Sequence, residues 1–132
     1  MARFAYRLVN VFGIDGDPFS GNPLCVFEEA AGLSAHAMQA LALQFNLSET
    51  AFLLPSAIAD ARVRIFAPTF ELPFAGHPTL GSAHVVKALR NTGDELRLEL
   101  NIGIVAVTAA AARRYTVQAQ SPKTRAVEVT PS

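Results

Sequence analysis

The sequence predicts an α/β domain of the α+β type, in which a curved mixed β-sheet wraps around one central helix. Two observations predict it. Several segments are rich in β-branched or alternating apolar residues, which is typical of strands. The second of two helical segments carries apolar groups around most of its circumference, so it must be enclosed. A sheet that wraps around this helix encloses it.

Composition narrows the class of protein. The chain has 132 residues, of which 51% are hydrophobic and 17% charged, so a disordered chain is excluded. Its length fits one domain. The 11 Lys+Arg balance the 11 Asp+Glu, which argues against nucleic-acid binding. Because we find neither an apolar leader nor a run of about 18 apolar residues, we expect a cytoplasmic protein without a membrane partner.

The first half of the sequence predicts strands around a surface helix. Residues 4–12 form the opening strand, and a loop rich in Gly, Asp, Asn and Pro leads to a short apolar strand at 24–27. Ser34 stands where a helix N-cap belongs, and Asn46 suits the helix end. The apolar stripe between them consists of Met38, Leu41, Ala42 and Phe45. Strands at 51–54 and 62–66 follow.

The second half begins with a long turn, residues 67–81, that carries three prolines and two glycines. Pro78 suits the first position of a helix, which predicts the enclosed helix over about 78–90. β-patterned segments follow at 95–100, 104–108 and 115–120. We therefore expect a single lobe over residues 1–120 and a truncated inter-lobe linker over 121–132, where the sequence is polar and flanked by proline.

Glu49 is the first candidate for chemistry. It follows a helix end and opens a strand, between Leu47 and Phe52. Desolvation there would raise the pKa of its carboxyl towards neutrality, as proton transfer requires. The alternative is a loop glutamate in water, which general burial statistics favour for any single glutamate considered alone.

His77 is the second candidate, because it precedes Pro78 at the expected helix start. Free amides and the positive end of the helix dipole can hold a carboxylate there, and the imidazole can relay a proton. A structural histidine at a turn explains the same residue. Asn22 between Gly21 and Pro23 could aim its amide at a ligand or cap the turn.

Two further residues are assigned structural roles. Cys25 lies in an apolar strand and is expected to be inert packing, and a single cysteine permits neither an internal disulfide nor a thiolate zinc site. Glu71, in the proline-rich turn, is a second acid candidate for which a solvated loop role is the better interpretation.

Three motifs together resemble one known family. They are Phe19-Ser-Gly-Asn-Pro-Leu-Cys-Val-Phe27, Asn46-Leu-Ser-Glu-Thr-Ala-Phe52 and Arg64-Ile-Phe-Ala-Pro-Thr-Phe-Glu-Leu-Pro-Phe-Ala-Gly-His-Pro-Thr-Leu-Gly81. Their order and spacing are similar to those of the phenazine-biosynthesis isomerase-like family, in the diaminopimelate epimerase structural class. The likeness covers nearly the whole chain. It implies an isomerase that works without a cofactor or metal, by a proton shift on a small cyclic carboxylate such as trans-2,3-dihydro-3-hydroxyanthranilate.

The resemblance also implies roles for individual residues. The acid/base glutamate of the family falls on Glu49, and its Gly-His pair falls on Gly76 and His77, which would contact the substrate. Asn22 falls on a substrate-facing asparagine. Related racemases carry a catalytic cysteine where this chain has Ala75, so the resemblance does not imply a thiol-pair mechanism.

Members of this family are built from two similar lobes with the active site between them, and the chain matches only the first. The resemblance therefore implies a site that is incomplete without a second lobe, and a homodimer or a partner second lobe that covers the exposed face. The alternative function is a non-catalytic half-lobe that serves as an interaction or structural subunit.

Overall fold

The structure is a computed structural model and describes residues 2–13, 17, 19–110, 114–118 and 126–129. Within these residues the chain alternates strands with two helices. The strands are β1 (Tyr6–Val11), β2 (Asn22–Phe27), β3 (Thr50–Leu54), β4 (Ala61–Phe66), β5 (Glu71–Leu72), β6 (Glu95–Leu100), β7 (Gly103–Ala110), β8 (Arg114–Gln118) and β9 (Ala126–Val129), and the helices are α1 (Ala35–Phe45) and α2 (Gly76–Arg90).

All the strands join one mixed sheet in the order β1-β2-β3-β4-β6-β7-β8-β9, with the short β5 paired to β4. The pairs β2–β3 and β4–β6 are parallel, and the other pairs are antiparallel. A parallel pair needs a long crossover. Helix α1 lies within the first crossover and α2 within the second.

The two helices lie on opposite faces of this sheet, because strand side chains alternate between faces. In β3, Ala51 and Leu53 belong to the large apolar core with the buried residues of α2. Phe52 belongs to a second core with Met38 and Ala42 of α1. The α2 face of the sheet is therefore separate from the α1 face, and the candidate site lies on the α2 face.

Helix α2 is the centre of the fold. It contacts β1 and β2 at one end of the sheet and β7 and β8 towards the other, so the sheet curves around it. Its buried side includes Pro78, Thr79, Leu80, Gly81, Ser82, Ala83, Val85 and Val86. The predicted curved mixed sheet around an enclosed helix is confirmed. Among the described residues, neither helix is long and apolar enough to cross a membrane.

The ends of α1 are confirmed and the start of α2 is corrected. The Ser34 hydroxyl accepts a hydrogen bond from the Ala37 amide at 3.1 Å, and Asn46 closes α1 with φ 54°. Helix α2 begins at Gly76, so the prediction that Pro78 is its first residue was wrong. As the third residue, Pro78 still lies in the first turn, where its missing N–H leaves no helical bond unmade.

The structure also adds to the expected strands. The long turn over 67–81 contains the two-residue strand β5, which the sequence did not predict. The segment expected to be a linker contributes β9, which pairs with β8. The predicted boundary between residues 120 and 121 lies outside the described residues.

Replacing Gly81 is expected to destabilise the fold. A Cβ at Gly81 would lie 2.5 Å from Leu24 Cδ2 and 3.1 Å from Val11 Cγ2, so helix and sheet approach each other closely here. Such overpacking costs about 1–3 kcal/mol. We expect Gly81→Ala to lower the free energy of unfolding by that amount in urea denaturation. Gly93→Ala is the control, because a Cβ at Gly93 meets nothing within 4 Å; equal losses in both variants would contradict this account.

Candidate active site

Glu49 immediately precedes β3, and the strand's alternation sets the direction of its side chain. Ala51 and Leu53 face α2, and a residue two positions earlier in an extended chain faces the same way. The Glu49 side chain is 17% exposed. The solvated loop glutamate considered from the sequence is therefore not what the structure shows.

His77 is the second residue of α2, and its side chain is 12% exposed. Its Nε2 lies 3.4 Å from Glu49 Oε2. The helix start and the strand start thus bring together two side chains that are far apart in sequence. The structure therefore places these two candidate residues at one site, while their chemical roles remain a prediction.

The two facing atoms are buried and poorly satisfied. Within the part of the chain that the structure describes, neither Glu49 Oε2 nor His77 Nε2 has a hydrogen-bond partner. Their separation is longer than a normal N–H···O hydrogen bond. Buried polar atoms in proteins are nearly always paired, so an unpaired couple needs an explanation such as a catalytic role or a bound molecule. Hydrogen bonds of a catalytic site are often loose before the substrate binds.

The electrostatics favour a neutral imidazole. Burial lowers the pKa of His77 below its ordinary value of 6.5, and the Glu49 carboxylate offsets part of this shift by attraction. The net direction is downward. At neutral pH, His77 is therefore an uncharged group that can donate or accept one hydrogen bond beside a carboxyl group.

Acidification is expected to destabilise the fold through His77. Because its native pKa lies below the unfolded value, the unfolded chain binds the proton more readily, and stability falls as pH drops below about 6.5. We expect His77→Asn to reduce the loss of stability between about pH 7.5 and pH 5.5, measured by urea denaturation. His36→Asn, at an exposed histidine of α1, is the matched control. An unchanged loss in His77→Asn would show that other groups cause it.

The start of α2 is open to a ligand. Its N-cap, Ala75, makes no side-chain capping bond, and the first turn contains no acidic residue. The amides of Gly76 and His77 come before the first helical bond, which runs from the Thr79 amide to the Ala75 carbonyl. A side chain built on Gly76 would meet nothing within 4 Å. Among the described residues, this helix start therefore combines amides that precede the helical hydrogen bonds with open space beside Gly76.

Asn22 is the exposed first residue of β2 and pairs with Val11. By alternation it belongs to the same face as Leu24 and Val26, which pack in the core around α2. The structure thus places Asn22 on the site's side of the sheet. Its contact with substrate stays a prediction.

Phe12 was missed as a site residue. The sequence predicts a first strand that includes Phe12. In the structure β1 ends at Val11, and Phe12 has φ 62°. Its ring centroid lies 6.3 Å from that of His77. No pattern in the sequence marks a phenylalanine for this backbone conformation, so only the structure could find it.

The remaining candidates have structural roles. Cys25 is fully buried, and burial raises the pKa of its thiol to about 12, so it is inert packing as predicted. The prediction of a solvated loop role for Glu71 was wrong, because Glu71 accepts two hydrogen bonds from Arg64, at 2.8 and 2.7 Å. Among the described residues, no group of three His, Cys, Asp or Glu side chains is placed to hold a metal ion.

Comparison with known proteins identifies relatives for almost the whole chain. Residues 9–131 match the family model described as phenazine biosynthesis-like protein. The chain is 45% identical over 101 residues to the trans-2,3-dihydro-3-hydroxyanthranilate isomerase of Pseudomonas aeruginosa, covering 76% of this chain and 36% of that protein. It is 47% identical over 107 residues to an uncharacterized isomerase of Pasteurella multocida, covering 80% and 36%. The matched region thus spans little more than a third of these relatives' length.

Solved structures agree with this assignment. A phenazine biosynthesis protein of the PhzF family from Enterococcus faecalis superposes with a TM-score of 0.78 at 30% identity, covering 87% of this chain and 43% of that one. A hydroxyproline epimerase from Agrobacterium vitis superposes with a TM-score of 0.61 at 14% identity, which shows a shared fold alone. By sequence and by fold, the chain belongs to the phenazine biosynthesis-like family.

Proposed function

We propose that this chain is the first lobe of a cofactor-independent isomerase that shifts a proton on a small cyclic carboxylate such as trans-2,3-dihydro-3-hydroxyanthranilate. The observation that carries the proposal is the approach of Glu49 Oε2 to His77 Nε2, at 3.4 Å, with neither atom hydrogen-bonded among the described residues. The pair lies beside the open start of α2. A base, a neutral hydrogen-bonding group and an anion site therefore occur together.

In this proposal Glu49 is the acid/base. A C–H bond next to a conjugated system is acidic enough for a carboxylate to remove its proton, and the resulting carboxylic acid returns that proton to another carbon of the same molecule. No atom is gained or lost. The partial burial of Glu49 supports the role, since a substrate bound beside it would be shielded from water that competes for the proton.

The start of α2 holds the substrate carboxylate. Amides at a helix N-terminus point at an anion, and the helix dipole favours its negative charge. Gly76 leaves room for the anion, and His77 adds a donor that faces Glu49. Asn22 lies on the same side of the sheet and completes the polar contacts in this proposal.

The alternative, a non-catalytic half-lobe, has less support. A lobe kept only for assembly gains nothing from a buried, unpaired carboxyl–imidazole couple, which costs stability. A neighbouring reading frame with an Asp followed by a Gly-Ser helix start would favour a split enzyme. A cytoplasmic location and a homodimer, or association with a second lobe, are parts of the proposal.

The experiment that tests the function is isomerisation of trans-2,3-dihydro-3-hydroxyanthranilate, or incorporation of solvent deuterium into it. It is run with the unaltered chain and with Glu49→Gln. Activity that depends on Glu49 supports the proposal. Activity that does not depend on Glu49 rejects the assignment of the base.

A further inference from the structure

Phe12 has an unusual backbone. Its φ of 62° lies in the left-handed region, which a bulky side chain rarely adopts. Residues held in this way cost stability and persist only where the surrounding structure fixes them; they cluster at active sites and ligand contacts. The conformation places Phe12 directly after β1, at the end of the strand that packs on α2.

The packing of Gly21 fixes this conformation. A Cβ built on Gly21 would lie 2.5 Å from the Val11 carbonyl oxygen and 2.8 Å from the Gly13 nitrogen. The chain at Gly21 therefore presses directly on the backbone on both sides of Phe12. Gly21 itself has φ 86°, a backbone conformation that favours glycine. This conformation and the close approach to Val11 and Gly13 both exclude other residues at position 21.

The result is an aromatic surface beside the site. The Phe12 ring lies 6.3 Å from the His77 ring, with an angle of 59° between the planes, which is within the range of aromatic contacts. Yet 39% of Phe12 remains exposed. A large apolar side chain is thus held against the site histidine while part of its surface stays free for a ligand.

We infer that Phe12 is a specificity-determining residue that contacts the flat, conjugated part of the substrate ring while the start of α2 holds the substrate carboxylate. The inference rests on the proposed function. A substrate whose C–H is made acidic by conjugation is planar around that conjugated system, and a planar conjugated segment stacks on an aromatic face better than a saturated, puckered one does. In this inference the strained backbone conformation of Phe12 places its ring where the substrate binds.

The test compares two carboxylic acids that differ in ring shape. Benzoate is planar and cyclohexanecarboxylate is puckered, and dissociation constants for both are measured by NMR titration of the full chain. We expect benzoate to bind roughly three- to tenfold more tightly. Phe12→Leu is expected to remove the preference while both acids still bind, and Phe12→Tyr to keep it. Tyr6→Leu is the matched control, because Tyr6 lies on β1 but packs against Phe27 and Phe45.

The outcomes separate this inference from the proposed function. An unchanged preference in Phe12→Leu, or equal binding of both acids by the unaltered chain, overturns the role of Phe12 and leaves the carboxylate site standing. Failure of the unaltered chain to bind either acid rejects the carboxylate site, and the role of Phe12 with it. His77→Asn is expected to weaken the binding of both acids by the same factor. Binding of the carboxylate is thereby distinguished from the preference for a planar ring.

Discussion

Addition of the second lobe of a full-length relative is expected to raise the rate at which this chain isomerises trans-2,3-dihydro-3-hydroxyanthranilate by about 100-fold or more. In the proposed function Glu49 and His77 form one wall of the site, and positioning of reacting groups is worth about 7–11 kcal/mol in total. With one wall of the site, the substrate is bound by its carboxylate but its reacting carbon is not fixed. We therefore expect weak binding and slow turnover by the chain alone.

The measurement mixes the purified chain with the remaining region of a relative such as the Pseudomonas aeruginosa isomerase and follows the rate against the concentration of that region. A saturable increase indicates a complex of the two lobes. Light scattering on the chain alone tests the other predicted assembly, a homodimer. A full rate from the chain alone, as a monomer, would show that the second lobe is not needed.

The fold was predictable where local chemistry marks it. Helix α1 has a serine at its start and an asparagine with positive φ at its end, so both ends can be read from the sequence. Helix α2 begins after Ala75, which makes no side-chain cap, so nothing local separates Gly76 from the preceding turn. Strand β5 has only two residues, too few for a periodic pattern, and β4 and the Arg64–Glu71 ion pair hold it in place.

The candidate site was predictable only in part. The motifs indicated Glu49 and His77 as candidates. The direction in which each side chain points depends on strand alternation before β3 and on where α2 begins. The backbone of Phe12 depends on Gly21, and that contact exists only after β1 and β2 have paired. Local propensity disfavours positive φ at phenylalanine, so tertiary packing overrides it. A residue whose conformation depends on such packing cannot be identified as a site residue from the sequence alone.

Glu49→Gln is expected to lower the rate of isomerisation, measured with the second lobe present, by about 100- to 10,000-fold, the range that general acid–base catalysis contributes. Glutamine has nearly the same shape but cannot take up or release a proton in this reaction. In the proposed function the start of α2 still holds the substrate carboxylate in this variant, so the dissociation constant of the substrate should change far less than the rate. Removal of the carboxylate charge beside His77 also lets the pKa of the imidazole fall further, since Glu49 is what raises it.

Two controls make this result specific to Glu49. Glu29→Gln makes the same chemical change at an exposed glutamate of the loop after β2 and should leave the rate unchanged. Glu49→Asp keeps the acid but shortens the side chain, and should retain more activity than Glu49→Gln because proton transfer remains possible. Deuterium incorporation from solvent should fall together with isomerisation in Glu49→Gln, since both start with the same proton removal. If isomerisation persists at the original rate in Glu49→Gln, the base is another residue, and the buried contact between Glu49 and His77 is structural.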